Sequence, residues 1–281
     1  MPSASAAAVA LPRSTVSTKT CAAMIRSSIY PLILRNTDAH RMVCVFDPGN
    51  TRSAWHDEKG HAMTPNARLS YLFDPLCGWC YAAAPALKRV AEIHGDRLRL
   101  MPTGLFVEPR PVAAIADHAS KNDSRIQNLT GQPFTEGYHQ GVMRARGGIF
   151  SSMALTRALV ALGQIDPVLE PRFLHAAQTA RYVGGQDTSR ADVVAGIALQ
   201  VARLSHVGVD QAGFLARITD DPALEVETDR RIAEGQALMS TLGIRGVPQL
   251  IVTDDRGARA VDGQALYTGG DAVLAALNKP A

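Results

Sequence analysis

Four consecutive residues, Cys77-Gly78-Trp79-Cys80, are where this chain could do chemistry. Two thiols three apart at the start of a helix can close a small disulfide, and the positive end of the helix favours a thiolate there. The chemistry indicated is thiol–disulfide exchange. Cys77, at the helix N-cap with orphan backbone N–H groups around its sulfur, is the expected nucleophile. Cys80, one turn further in, is the expected resolving thiol, releasing the mixed disulfide that Cys77 forms. A structural disulfide and half of a zinc site are the competing readings. Zinc takes four ligands, usually from two such pairs. The other cysteines, Cys21 and Cys44, stand apart in an irregular N-terminal stretch, so the redox reading is favoured and no metal is expected.

The flanking sequence shows which elements must hold these sulfurs. A strand, Leu69–Phe73, runs into the pair, and a helix from Ala82 to His94 follows, with Ala83, Leu87, Val90 and Ala91 on one face and Pro85 inside. Arg97–Leu100 alternates as a half-buried strand does, and Gly104, Pro109 and Pro111 then punctuate the chain. From about Val112 to Leu224 the periods are helical, with almost no strand signal. Ser151–Leu162 carries an apolar face, Pro171 is expected to break or kink the first turn after Pro167, and Ser189 is the expected N-cap of Ala191–Leu204. Asp220-Asp221-Pro222 opens a longer helix whose face includes Leu224, Ile232, Met239 and Leu242. Strand Gln249–Thr253, a hairpin loop at Asp254–Gly257, a strand Arg259–Val261 and a helix Gly270–Leu277 close the chain. The expected organisation is a tail or mis-assigned start at 1–65, an N-terminal half-domain at 66–111, a helical insertion at 112–224 and a C-terminal half-domain at 225–281.

The stretch Tyr71-Leu72-Phe73-Asp74-Pro75-Leu76-Cys77-Gly78-Trp79-Cys80-Tyr81-Ala82-Ala83-Ala84-Pro85 resembles the active-site segment of DsbA-family proteins, in particular their FrnE-like, protein-disulfide-isomerase branch. Asn128–Phe134 and Arg181–Asp187 resemble that branch too, and the likeness runs from about Asn66 to Ala281. It implies an α/β thioredoxin fold, βαβ…ββα, split by a large all-helical insertion. It also implies that Cys77 and Cys80 are catalytic, with Trp79, Val247 and Pro248 at the substrate. In that superfamily the proline matching Pro248 is cis and faces the sulfurs, leaving the Val247 N–H and C=O free to pair with an extended peptide. Without the resemblance, a trans proline is the ordinary reading, since only about 5–6% of X–Pro bonds in folded proteins are cis. Tyr71 occupies the position where thioredoxins proper carry a buried aspartate, so proton transfer to Cys80 lacks that acid. Asp74 reads as a turn residue before Pro75, with proton shuttling as the alternative.

The expected activity is that of a thiol–disulfide oxidoreductase or protein-disulfide isomerase acting on protein or small-molecule disulfides and thiols. It needs no cofactor beyond its dithiol, with glutathione a candidate co-substrate. Two other classes stay open. Glutathione-dependent isomerases or transferases of the kappa or hydroxychromene-carboxylate type share the split fold but usually carry a lone serine at the position of Cys77. A non-catalytic binding or chaperone module would keep the pair only as a structural disulfide.

Composition narrows the rest. In 281 residues, 46% hydrophobic and 20% charged content is ordinary for a globular enzyme. The net charge of +3 comes partly from dispersed basic residues before Met63 without interleaved aromatics, so nucleic-acid binding is not indicated. No apolar run approaches the roughly 18 residues a membrane span needs. The early runs Ala6–Leu11 and Ile29–Leu34 lack the order of a secretory signal, and Asp38, Asp47, Asp57 and Glu58 weaken a transit-peptide reading. The expectation is a cytoplasmic protein whose compact part begins near Met63. The sequence does not address its oligomeric state.

Overall fold

A computed structural model describes residues 66–279. The expectations for 1–65, including the start at Met63 and the roles of Cys21 and Cys44, lie outside the described residues. Strand β1 (Arg68–Phe73) leads into a short helix α1 (Gly78–Ala82), then α2 (Ala84–His94) and β2 (Leu98–Pro102). There follow β3 (Arg110–Pro111), α3 (Ala116–Thr130), β4 (Ile149–Phe150), α4 (Met153–Ile165), α5 (Leu169–Tyr182), α6 (Ala191–Leu204) and α7 (Gln211–Asp220). Helix α8 (Pro222–Thr241), β5 (Gln249–Asp254), β6 (Gly257–Ala260) and α9 (Gly270–Leu277) complete the described chain, with single helical turns at Glu136–Tyr138 and Ala265–Thr268.

The four-stranded sheet has the order β2-β1-β5-β6. β1 runs parallel to β2, Leu69 opposite Leu98, and antiparallel to β5, Tyr71 opposite Leu250. Side chains alternate across a strand, so Leu69, Tyr71 and Phe73 share one face and join the large core that includes Cys77, Cys80, Leu87 and Val90. Leu72, Met101 and Ile251 turn to the other face, against Leu238 and Met239 of α8 and Leu242 just after it. Both faces are covered. This is the thioredoxin-like α/β fold expected from the sequence, with helices α3 to α7 inserted between its halves. The insertion lies against the site: α3 packs on α1, and α5 on α2.

Local chemistry explains the boundaries. Asp221 caps α8, its Oδ1 accepting from the Ala223 and Leu224 N–H groups at 2.9 and 3.3 Å, with Pro222 opening the first turn. Gly131 ends α3 in the left-handed region, φ 74°. The helix expected over Ala82–His94 is divided at Ala83, because Pro85, second in α2, has no N–H to offer the Tyr81 carbonyl.

Four expectations need correcting. Pro171 stands third in α5, where an N–H has no partner within the helix in any case, and the helix runs on unbroken. Ser189 does not cap α6: its hydroxyl accepts from the Ser151 N–H at 3.3 Å, and Arg190 holds the N-cap position. The insertion is not purely helical, since β4 pairs with β3 over two residues. Helix α8 runs through the boundary drawn between 224 and 225.

Candidate active site

Cys77 is the N-cap of α1 in extended conformation, φ −76° and ψ 118°, and its carbonyl accepts from the Cys80 and Tyr81 N–H groups at 3.0 and 3.1 Å. Both thiols are free, Cys77 7% and Cys80 1% exposed. The Val247–Pro248 bond is cis, and the Cys77 thiol points to the Val247 carbonyl at 3.9 Å. Four residues named from sequence, Cys77, Cys80, Val247 and Pro248, are therefore brought together across 170 positions. Burial pushes the Cys80 thiol well up, the neighbouring Cys77 sulfur adds to that, and the Asp74 backbone N–H pulls it back.

Trp79 is half-buried and clamped. Its indole N–H donates to Asn122 Oδ1 of α3 at 3.1 Å, the Tyr267 ring meets it edge-on at 5.4 Å, and the Arg125 guanidinium lies 5.6 Å from its ring centre. Tyr71 is fully buried in the core that holds the sulfurs, and burial, then Cys80 and Cys77, push its phenol well up.

Asp74 does more than turn the chain. Fully buried, its Oδ1 accepts from the Leu76 N–H at 2.9 Å, and its Oδ2 from the Phe106 N–H at 3.0 Å and the Ser152 hydroxyl at 2.9 Å. Burial outweighs these bonds, so its carboxyl is raised from the ordinary range. One side chain thus ties the residues before Cys77 to the loop after β2 and to the start of α4.

Sequence reasoning named the segments 128–134 and 181–187 only by likeness; the structure gives their reason. The Gln132 side chain donates to the Tyr81 carbonyl at 3.0 Å, the Tyr81 hydroxyl donates to the Pro133 carbonyl at 3.2 Å, and Phe134 meets the Tyr81 ring edge-on. Tyr182, fully buried and stacked on Tyr81 at 4.6 Å, donates its hydroxyl to the Leu76 carbonyl at 2.8 Å. The residues flanking the dithiol, Leu76 and Tyr81, are both held by the insertion. Asn122, Asp123 and Tyr267 were missed, since nothing in their own spacing marks them, and Tyr182 was named only as part of its segment. Asp123 is buried and crowds Gly78: a Cβ there would lie 3.4 Å from its Oδ1. Among the described residues no group of three or more His, Cys, Asp or Glu could hold a metal, and no helix is long and apolar enough to cross a membrane.

No curated protein matches the chain. Among solved structures it is similar to the cytosolic disulfide reductase DsbM from Pseudomonas aeruginosa, at 30% identity over 74% of this chain and 95% of that one, with a TM-score of 0.63. The same reductase with GSH aligns at 31% identity, 74% and 96% coverage and a TM-score of 0.62. A candidate protein disulfide isomerase from Nitrosomonas europaea shares the fold, at 24% identity, 75% and 95% coverage and a TM-score of 0.57. The DSBA-like thioredoxin domain matches residues 68–269. That match begins with β1 and ends just before α9, taking in both halves of the sheet and the insertion between them, and it makes the chain a member of the DSBA-like thioredoxin domain family.

Proposed function

We propose that this thiol–disulfide oxidoreductase works in the reducing or isomerising direction through Cys77 and Cys80. The observation that carries the reading is the free, closely placed thiol pair with Cys77 at the helix N-cap and against the Val247 carbonyl. Cys77, the more exposed of the two, is the attacking sulfur. Its thiolate bonds to one sulfur of a substrate disulfide and expels the other as a thiolate, giving a mixed disulfide. Cys80 then gives up its proton and attacks Cys77 Sγ. The Cys77–Cys80 disulfide forms, the second substrate thiol leaves, and two electrons have passed to the substrate.

The order of the steps follows from the electrostatics. Beyond burial, the sulfur of Cys77 and then the Asp74 carboxylate keep Cys80 protonated. Once Cys77 is bonded to substrate it carries no charge, so Cys80 becomes more acidic when its thiolate is needed. Trp79 and the Val247 backbone form the substrate contacts. Two thiols speak against the glutathione-transferase alternative.

The reducing direction and a cytosolic address draw support from the 30% identity with a reductase described as cytosolic. Glutathione is the proposed source of electrons, in line with the GSH complex of that protein. The test is the equilibrium of the Cys77–Cys80 disulfide against a glutathione buffer. A potential near that of glutaredoxins or thioredoxin, roughly −200 to −270 mV, is expected. One near the roughly −120 mV of a strong oxidase contradicts the direction.

A further inference from the structure

We propose that Arg125 is a specificity-determining residue that draws disulfides carrying carboxylates to the dithiol. The inference rests on the proposed activity and adds the class of substrate. The side chain is exposed on α3, yet it is not free to wander, because its guanidinium sits 5.6 Å from the centre of the Trp79 ring. Trp79 is itself fixed by its hydrogen bond to Asn122, one turn earlier on the same helix face, and by the edge of Tyr267. A cation is thereby held on Trp79, one of the two residues between the cysteines.

That cation is uncommitted. Among the described residues no carboxylate lies within ion-pair distance of Arg125, whereas Arg89, Arg157, Arg190, Arg217, Arg230 and Arg256 all have acidic partners. The acid nearest in sequence, Asp123, is buried and turned inward against Gly78. Contact with an aromatic face leaves the guanidinium N–H edges available to an anion. An exposed charge pair contributes little to affinity, but a fixed charge beside a reactive centre raises the encounter rate of oppositely charged substrates and loses that effect in salt. The recognised chemistry is a small peptide thiol with carboxylates near its sulfur, bonded through a disulfide.

The probes are glutathione disulfide and its fully esterified form, which present the same sulfurs without carboxylates. The readout is the ratio of the second-order rate constants at which the two disulfides oxidise the reduced Cys77–Cys80 dithiol at low salt, a single turnover in which each releases two thiols as the Cys77–Cys80 disulfide forms. The wild-type protein is expected to favour the free acid, and Arg125→Gln to lower the ratio about five- to tenfold. Arg125→Lys should give an intermediate ratio, and added salt should lower the wild-type ratio toward that of Arg125→Gln. Arg203→Gln removes the same charge from an exposed position on α6, a helix that packs on α4, α5 and α7, and should keep the preference. A ratio unmoved by Arg125→Gln, or moved as far by Arg203→Gln, overturns the proposal while leaving the activity standing. A wild-type protein that reduces neither disulfide overturns the activity and this inference with it.

Discussion

A buried carboxylate with three donors cannot be removed without stranding them. Asp74→Ala would leave the Leu76 and Phe106 N–H groups and the Ser152 hydroxyl without their acceptor. At about 1–3 kcal/mol for each stranded group, a loss of about 3 kcal/mol or more in urea unfolding is expected, with a smaller loss for Asp74→Asn. Asp123 bears on stability in another way. Burial raises its carboxyl to about 7, against the pull of Tyr138 and Arg181. The folded state then holds this proton more tightly than the unfolded chain, whose aspartate titrates near 3.9. The contribution to stability is complete below that value and is lost as pH rises through about 7. From pH 5 to pH 8, Asp123→Asn should gain about 2–3 kcal/mol relative to the wild-type protein. Denaturation at the two pH values checks this. Single residues were only partly legible in the sequence. The cysteines and Pro248 stand in recognisable motifs, and an Asp before a proline reads as a turn, but two partners of Asp74 lie 32 and 78 positions away.

At the scale of elements, the insertion is fastened to the thioredoxin halves at named points. Tyr182 reaches from α5 to the Leu76 carbonyl at 2.8 Å. Tyr182→Phe should cost about 1–3 kcal/mol of stability by stranding that buried acceptor, and should slow exchange by loosening the residue before Cys77. A second fastening joins α5 to α8: Glu170 and Arg231 form a buried two-pronged pair at 2.6 and 2.9 Å, and Arg231 also donates to the Leu100 carbonyl at 2.5 Å. Glu170→Ala leaves a buried cation unpaired, a loss of about 3–5 kcal/mol, measurable by chemical unfolding. Most elements were legible because their apolar periods are strong: β1, β5 and α9 fall within a residue of their expected limits. The β3–β4 ladder was not, since two residues per strand cannot show a period of two. The cap of α6 was misread because Ser189 had a better use in binding the Ser151 backbone.

At the scale of the whole molecule, redox poise and stability are linked. A dithiol in the reductase range forms a disulfide that the fold favours, so the oxidised protein should unfold at a higher temperature than the reduced one, whereas a strong oxidase shows the reverse order. Calorimetry of the two forms checks this independently of any substrate. The division of labour between the sulfurs admits a more direct test: mass analysis of Cys80→Ser after incubation with glutathione disulfide. A stable glutathione adduct on Cys77 is expected, with no such adduct on Cys77→Ser and no turnover by Cys77→Ser. An adduct on Cys80 in the Cys77→Ser protein, with turnover preserved, would contradict that division.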